Sequence, residues 1–244
     1  MKQPYLHDVI QVVKLGEHYQ IKYLQSVKEP GFEYSLLGSN TKGKNNKKLK
    51  NNISRALTTC RNIALSNEWD YFITLTLDPK KYDRFNIKQF KVDLSKFFKS
   101  LNRKYNCHVN YLLVPEQHKN GAWHMHGLIS GVPADLITVN VFGFYDFRPY
   151  STHFGYCSLS PVKSSVAISF YISKHLGKQL YNGIISINDH LYICSRGLSR
   201  GELIKVIPAI DFPLDFNWQY VSEDKSYKSS FFEDDTFLKF NNVL

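Results

Sequence analysis

Apolar and polar residues alternate with a two-residue period at several places along the chain, and each such run predicts a half-buried strand. From Asp70 to Asp78, Tyr71, Ile73, Leu75 and Leu77 share one side while Phe72, Thr74 and Thr76 share the other, and Pro79 ends the run. Two further runs, Val109 to Pro115 and Trp123 to Ser130, flank Asn120-Gly121, a strong signal for a hairpin turn. Shorter runs lie at Val9 to Lys14, His18 to Leu24 and Tyr156 to Leu159. Helical spacing takes over after Asn86, a good N-cap, where Ile87, Phe90, Leu94, Phe97, Phe98 and Leu101 form one stripe. A second helix is expected from about Pro161 to Lys178, since proline is tolerated at a helix start. The Asn- and Lys-rich stretch from Ser39 to Asn52 reads as a loop, and from Tyr181 onward the pattern mixes short strands and loops.

These elements predict an α+β fold, an antiparallel sheet with helices on one face, similar to the split βαβ, ferredoxin-like sheet. One domain is expected. Residues 1–60 would be an N-terminal extension with a basic loop, 61–182 the core, and 183–244 a C-terminal elaboration of the same domain.

Composition narrows the partner. The 244 residues carry 31 Lys and Arg against 21 Asp and Glu, a net charge of +10, so the surface field attracts polyanions. No apolar run approaches the ~20 residues of a membrane span, which favours nucleic acid over a membrane. Cys60, Cys107, Cys157 and Cys194 are widely spaced without a CxxC pair, and the first residues lack a signal-peptide pattern, so a reduced, cytoplasmic protein is expected. Gly38-x-x-x-x-Gly43-Lys44 resembles the start of a phosphate-binding loop. Asn45 follows it, however, where a magnesium-ligating hydroxyl belongs, and the match reads as chance composition.

The chemistry concentrates in His124-Met125-His126. A strand aims both imidazoles at one face while Trp123, Met125 and Ile129 point into a core, and this is a metal-ligand geometry. Two solvated histidines on an edge strand are the bland alternative. A third ligand would come from the other hairpin strand: a strict two-residue turn sets Gln117 across from His124, a three-residue loop or a bulge sets Glu116 there. Glu116 is the expected ligand, because a carboxylate offsets part of the charge of Mg²⁺ or Mn²⁺; His118 stands in reserve. On the later helix, Tyr171 and Lys174 are neighbours one turn apart, so the lysine could favour an ionised phenol. A tyrosine packed on the sheet with its lysine in solvent is the competing reading.

Three elements in this order resemble the HUH endonucleases, specifically the rolling-circle replication initiators of small phages and plasmids. They are Ile73-Thr74-Leu75-Thr76-Leu77-Asp78-Pro79, His124-Met125-His126-Gly127-Leu128-Ile129 and Tyr171-Ile172-Ser173-Lys174. Cys194-Ser195-Arg196-Gly197-Leu198 is similar to a stretch downstream in phage initiators of this group. The resemblance implies a ferredoxin-like, RRM-like HUH nuclease core. It further implies a divalent metal on Glu116, His124 and His126, Tyr171 as the nucleophile and Lys174 as its helper. The product would be a 5′-phosphotyrosyl enzyme with a free 3′-hydroxyl. Where two-tyrosine initiators carry the second tyrosine this chain has His175, which implies the single-tyrosine type. Single-stranded DNA, including an origin hairpin, is the implied partner, together with a host helicase and polymerase. Phe72, Thr74, Thr76, Lys178 and Arg196 are candidate DNA contacts. A single-strand transposase, a plasmid relaxase and a non-catalytic nucleic-acid-binding sheet remain alternatives.

Overall fold

In a computed structural model of the chain, residues 5–28, 46–141, 143–164, 166–169, 171–172, 191–223, 225 and 227–233 are described. The chain divides into two compact units, Asn45–Leu198 and the pair of segments Met1–Lys44 and Ser199–Leu244. This division cuts across the expected boundaries at residues 60 and 182: the terminal segments pair with each other in one sheet. No helix among the described residues is long and apolar enough to cross a membrane.

The terminal unit is a five-stranded antiparallel sheet. The hairpin β1 (Tyr5–Leu15) and β2 (His18–Lys28) forms its middle, β10 (Glu202–Pro208) pairs with β1, and β12 (Tyr227–Glu233) pairs with β2 and with the short β11 (Tyr220–Val221). Ile10, Val12 and Ile21 are buried on one face with Phe212, and Phe216, Trp218 and Phe232 pack against them.

The central unit begins with α1 (Asn46–Leu65), followed by β3 (Tyr71–Thr76), α2 (Ile87–Tyr105), β4 (Asn110–Gln117) and β5 (Trp123–Ser130). After β6 (Ile137–Val139) and β7 (Tyr145–Phe147) come the short α3 (Arg148–His153), β8 (Cys157–Pro161) and β9 (Ile193–Cys194). The sheet runs in the order β6-β7-β8-β3-β5-β4-β9, and every pairing is antiparallel. Within it, β3-α2-β4-β5-α3-β8 gives the βαββαβ order of a ferredoxin-like sheet, so the expected α+β antiparallel fold is present. Asn86 caps α2 as expected, its side chain accepting from the Gln89 amide at 3.0 Å.

Helices cover both faces rather than one. Phe90, Leu94, Phe98 and Leu101 of α2 and Tyr150 of α3 share a buried cluster with Ile73, Leu75, Tyr111, Leu113, Met125 and Ile129 of the sheet. On the opposite face Cys60, Ile63 and Ala64 of α1, together with Ile172, bury Leu112, Val114 and Leu128. Helix α1 starts inside the stretch expected to be a loop. Lysine is a good helix former, and Leu57, Cys60 and Ala64 recur at helical spacing. The other helix starts later than expected. Pro161 ends β8 opposite Tyr71, and the described helical residues are 166–169 and 171–172.

Candidate metal centre and its tyrosine

Loop length decides the third ligand. The Gly121 amide donates to the His118 carbonyl at 2.9 Å and the His118 amide to the Ala122 carbonyl at 2.8 Å, which leaves Lys119, Asn120 and Gly121 as a three-residue loop. Gly121 takes φ +86°, a left-handed conformation that suits glycine at the end of such a loop. The resulting register sets Glu116 directly across from His124, and Gln117 across from Trp123.

Glu116 Oε2 lies 3.3 Å from Nε2 of His124 and 2.8 Å from Nε2 of His126, and the two Nε2 atoms approach to 2.5 Å. One anionic oxygen and two imidazole nitrogens thus converge on a single point, as the ligand set of a divalent cation does. The second nitrogens differ. Nδ1 of His126 is 3.0 Å from the Thr74 hydroxyl, the outer-shell partner that fixes a ligating histidine's ring and tautomer. Nδ1 of His124 is buried with no hydrogen-bond partner among the described residues. Burial, with the neighbouring His126 and His118, pushes the His124 imidazole down to about 4 against the opposing pull of Glu116, so it is neutral at neutral pH with a lone pair free to ligate. The His118 ring covers that of His124, with centroids 4.0 Å apart, and stays outside the cluster.

Tyr171 comes to the same face through Phe72. The Phe72 ring stacks on His126 with centroids 5.9 Å apart and meets the Tyr171 ring edge-on at 5.5 Å. Tyr171 is 43% exposed, which leaves its hydroxyl approachable from solvent. Partial burial raises its phenol above the ordinary value, and the negative charge of Glu116 raises it further. A cation held by Glu116 would offset the second of these effects.

The remaining candidates scatter. Thr74 is engaged with His126, and Phe72 is a spacer between ligand and phenol. Thr76 stands beside His124 in the register. Arg196 is exposed beyond β9, where the Ser195 amide bonds to the Tyr111 carbonyl at 2.9 Å. Five residues of β4 separate that level from Glu116, about 17 Å along the strand. Lys174 and Lys178 lie outside the described residues. What pattern reading missed is the tie of Thr74 to His126, which only the pairing of β3 with β5 reveals.

Comparison with known proteins bears on this stretch. Residues 70–180 match the model of the replication-associated protein ORF2 family. The match takes in Glu116, His124, His126 and Tyr171 and supports a replication-associated protein. It covers a little under half of the chain. No curated protein and no solved structure matches it.

Proposed function

We propose that this protein is a replication initiator of the HUH type, which nicks single-stranded origin DNA by transesterification onto Tyr171. One observation carries the reading: the Phe72 ring touches both His126 and Tyr171, so the phenol and the three-ligand cluster share one face of one sheet. A Mg²⁺ or Mn²⁺ ion, when bound, supplies Lewis-acid polarisation of the scissile phosphate and offsets charge in the transition state.

The chain does the rest. Glu116, His124 and His126 hold the ion, and Thr74 keeps the His126 ring in orientation. The phenol oxygen of Tyr171 bonds to phosphorus as the bond from phosphorus to the 3′-oxygen breaks. The proton lost by the phenol is balanced by the one gained at the leaving oxygen. The products are a 5′-phosphotyrosyl linkage and a free 3′-hydroxyl for a polymerase, and attack by a 3′-hydroxyl on that linkage later rejoins the strand. Phosphodiester exchange requires no energy cofactor. Lys174 is assigned to stabilising the phenolate, Thr76 and Lys178 to contacts near the scissile phosphate, and Arg196 to DNA farther along the sheet. Strand separation falls to a recruited host helicase.

Incubation with Mn²⁺ and labelled single strands from the protein's own replicon tests this reading. A covalent protein-DNA adduct is expected on a denaturing gel, absent with Tyr171→Phe and after chelation. Binding of the strands without any adduct from the wild-type protein would sink the nuclease reading.

A further inference from the structure

Register sorts the site face into rows. At the end of the sheet nearest the hairpin loop, Glu116, His124 and Thr76 lie side by side across β4, β5 and β3. The Thr76 amide donates to the Tyr156 carbonyl at 2.9 Å, which extends this row to the residue before β8. In the next row Val114, His126, Thr74 and Ser158 follow one another, and in the third Leu112, Leu128, Phe72 and Ser160. The third row carries residues buried or packed beneath α1 and Ile172. The rows thus grade from a helix-covered end to an open end, and a strand of DNA reaching the ligands must enter across the first row.

Tyr156 occupies that entrance. Cys157 and Leu159 are buried on the α2 face, so strand alternation turns Tyr156 and Ser158 to the site face. Tyr156 is 50% exposed, and its side chain has no hydrogen-bond or ring partner among the described residues. Only the small Thr76 separates it from His124 in the row, a span of two strand spacings or roughly 10 Å. Its backbone is held firmly. Gly155 takes φ +145°, and a Cβ there would come within 2.5 Å of the Asp78 amide and 2.8 Å of the Thr76 carbonyl, so the turn before β8 is pressed against the end of β3. A large aromatic ring on a fixed backbone, beside a floor of hydroxyl side chains and one row-width from the ligands, matches what a base needs for stacking.

We propose that Tyr156 is a base-stacking residue that fixes where single-stranded DNA lies on the sheet, seating a base next to the scissile phosphate. The inference rests on the proposed reading that this face takes single-stranded DNA. Its recognition is through the ring and not the hydroxyl, which separates it from Tyr171.

The test uses full-length protein with Mn²⁺ and a fluorescein-labelled oligothymidine, read by anisotropy. Tyr156→Ala is expected to weaken binding about tenfold or more. Tyr156→Phe should bind as the wild type, and so should Phe144→Ala, which removes an exposed aromatic from a different loop. Quenching of 2-aminopurine at one position of an oligonucleotide, lost in Tyr156→Ala, reports the stack directly and is read only on variants with wild-type thermal melts. Equal binding by Tyr156→Ala and wild type overturns the proposal, as does a loss in Tyr156→Phe matching that in Tyr156→Ala. The adduct assay runs in parallel. If adducts form while Tyr156→Ala binds normally, stacking fails and nicking stands; if no adduct forms yet Tyr156→Ala loses affinity and quenching, stacking stands and nicking fails.

Discussion

The two faces of the central sheet are made by alternate residues of the same strands, yet they differ along their length. Toward α2, the side chains of Ile73, Leu75, Tyr111, Leu113, Met125 and Ile129 all lie in one buried cluster. Toward α1, Leu112, Val114 and Leu128 are equally dry, but Thr74, Thr76, His124, His126 and Glu116 take over at one end. Stability and chemistry are therefore separated within single strands. One uniform face and the covered half of the other hold the fold, which frees a few positions near the hairpin loop to carry polar groups that contribute little to it.

Gly127 ties the two faces together, and replacing it tests the comparison most severely. A Cβ at this position would fall 1.9 Å from the Leu112 carbonyl oxygen and 2.8 Å from Leu113 Cα, both backbone atoms of β4. Gly127→Ala is expected to destabilise the protein by about 3 kcal/mol or more, measured by urea denaturation, because β4 must move away from β5. Metal binding should fall with it, since Glu116 rides on the displaced strand.

A milder change separates site from fold. Thr74→Val keeps shape and volume while removing the hydroxyl beside His126 Nδ1. Mn²⁺ affinity, read by calorimetry, is expected to fall about tenfold with a thermal midpoint close to wild type. A wild-type affinity would show that His126 needs no orienting partner.

The smallest effect asks whether the covered half of the site face is as dry as the α2 face. Burial pushes the thiol of Cys60, beneath α1, and that of Cys157, on the α2 face, up to about 12 each. Both should resist alkylation at pH 8 while Cys107 and Cys194, which are half-buried, react first. An acid whose folded value is raised holds its proton in the native state and loses it on unfolding. Its contribution to stability is therefore full below the unfolded value and declines as pH rises from about 8.5 toward 12. Early labelling of Cys60 alone would mean that water reaches beneath α1.

Local pattern was enough for much of this face. Alternation marked β3, β4 and β5, and the Asn120-Gly121 turn brought Glu116 within one register choice of His124. The choice itself depended on whether the loop held two residues or three, a backbone property that Asn-Gly allows either way. Helix α1 was hidden because its first turns are Asn and Lys, whose composition reads as a solvated loop. The terminal sheet was hidden for a different reason. Val9 pairs with Pro208 and Tyr23 with Lys228, and no local signal spans so many residues. Pro161 misled because its ring suits the first turn of a helix and the last residue of a strand equally well.

That long-range pairing has a cost during synthesis. When β2 is complete, the first hairpin has two bare edges, and their partners β10 and β12 begin only at Glu202 and Tyr227. At ribosomal rates of about 5–20 residues per second, the wait for the first partner is roughly ten to thirty-five seconds. Throughout it the nascent chain displays unpaired backbone amides and carbonyls, the template on which strands from other molecules add. Polypeptides released early, before Glu202, would keep those edges bare for good and are expected to be prone to aggregation.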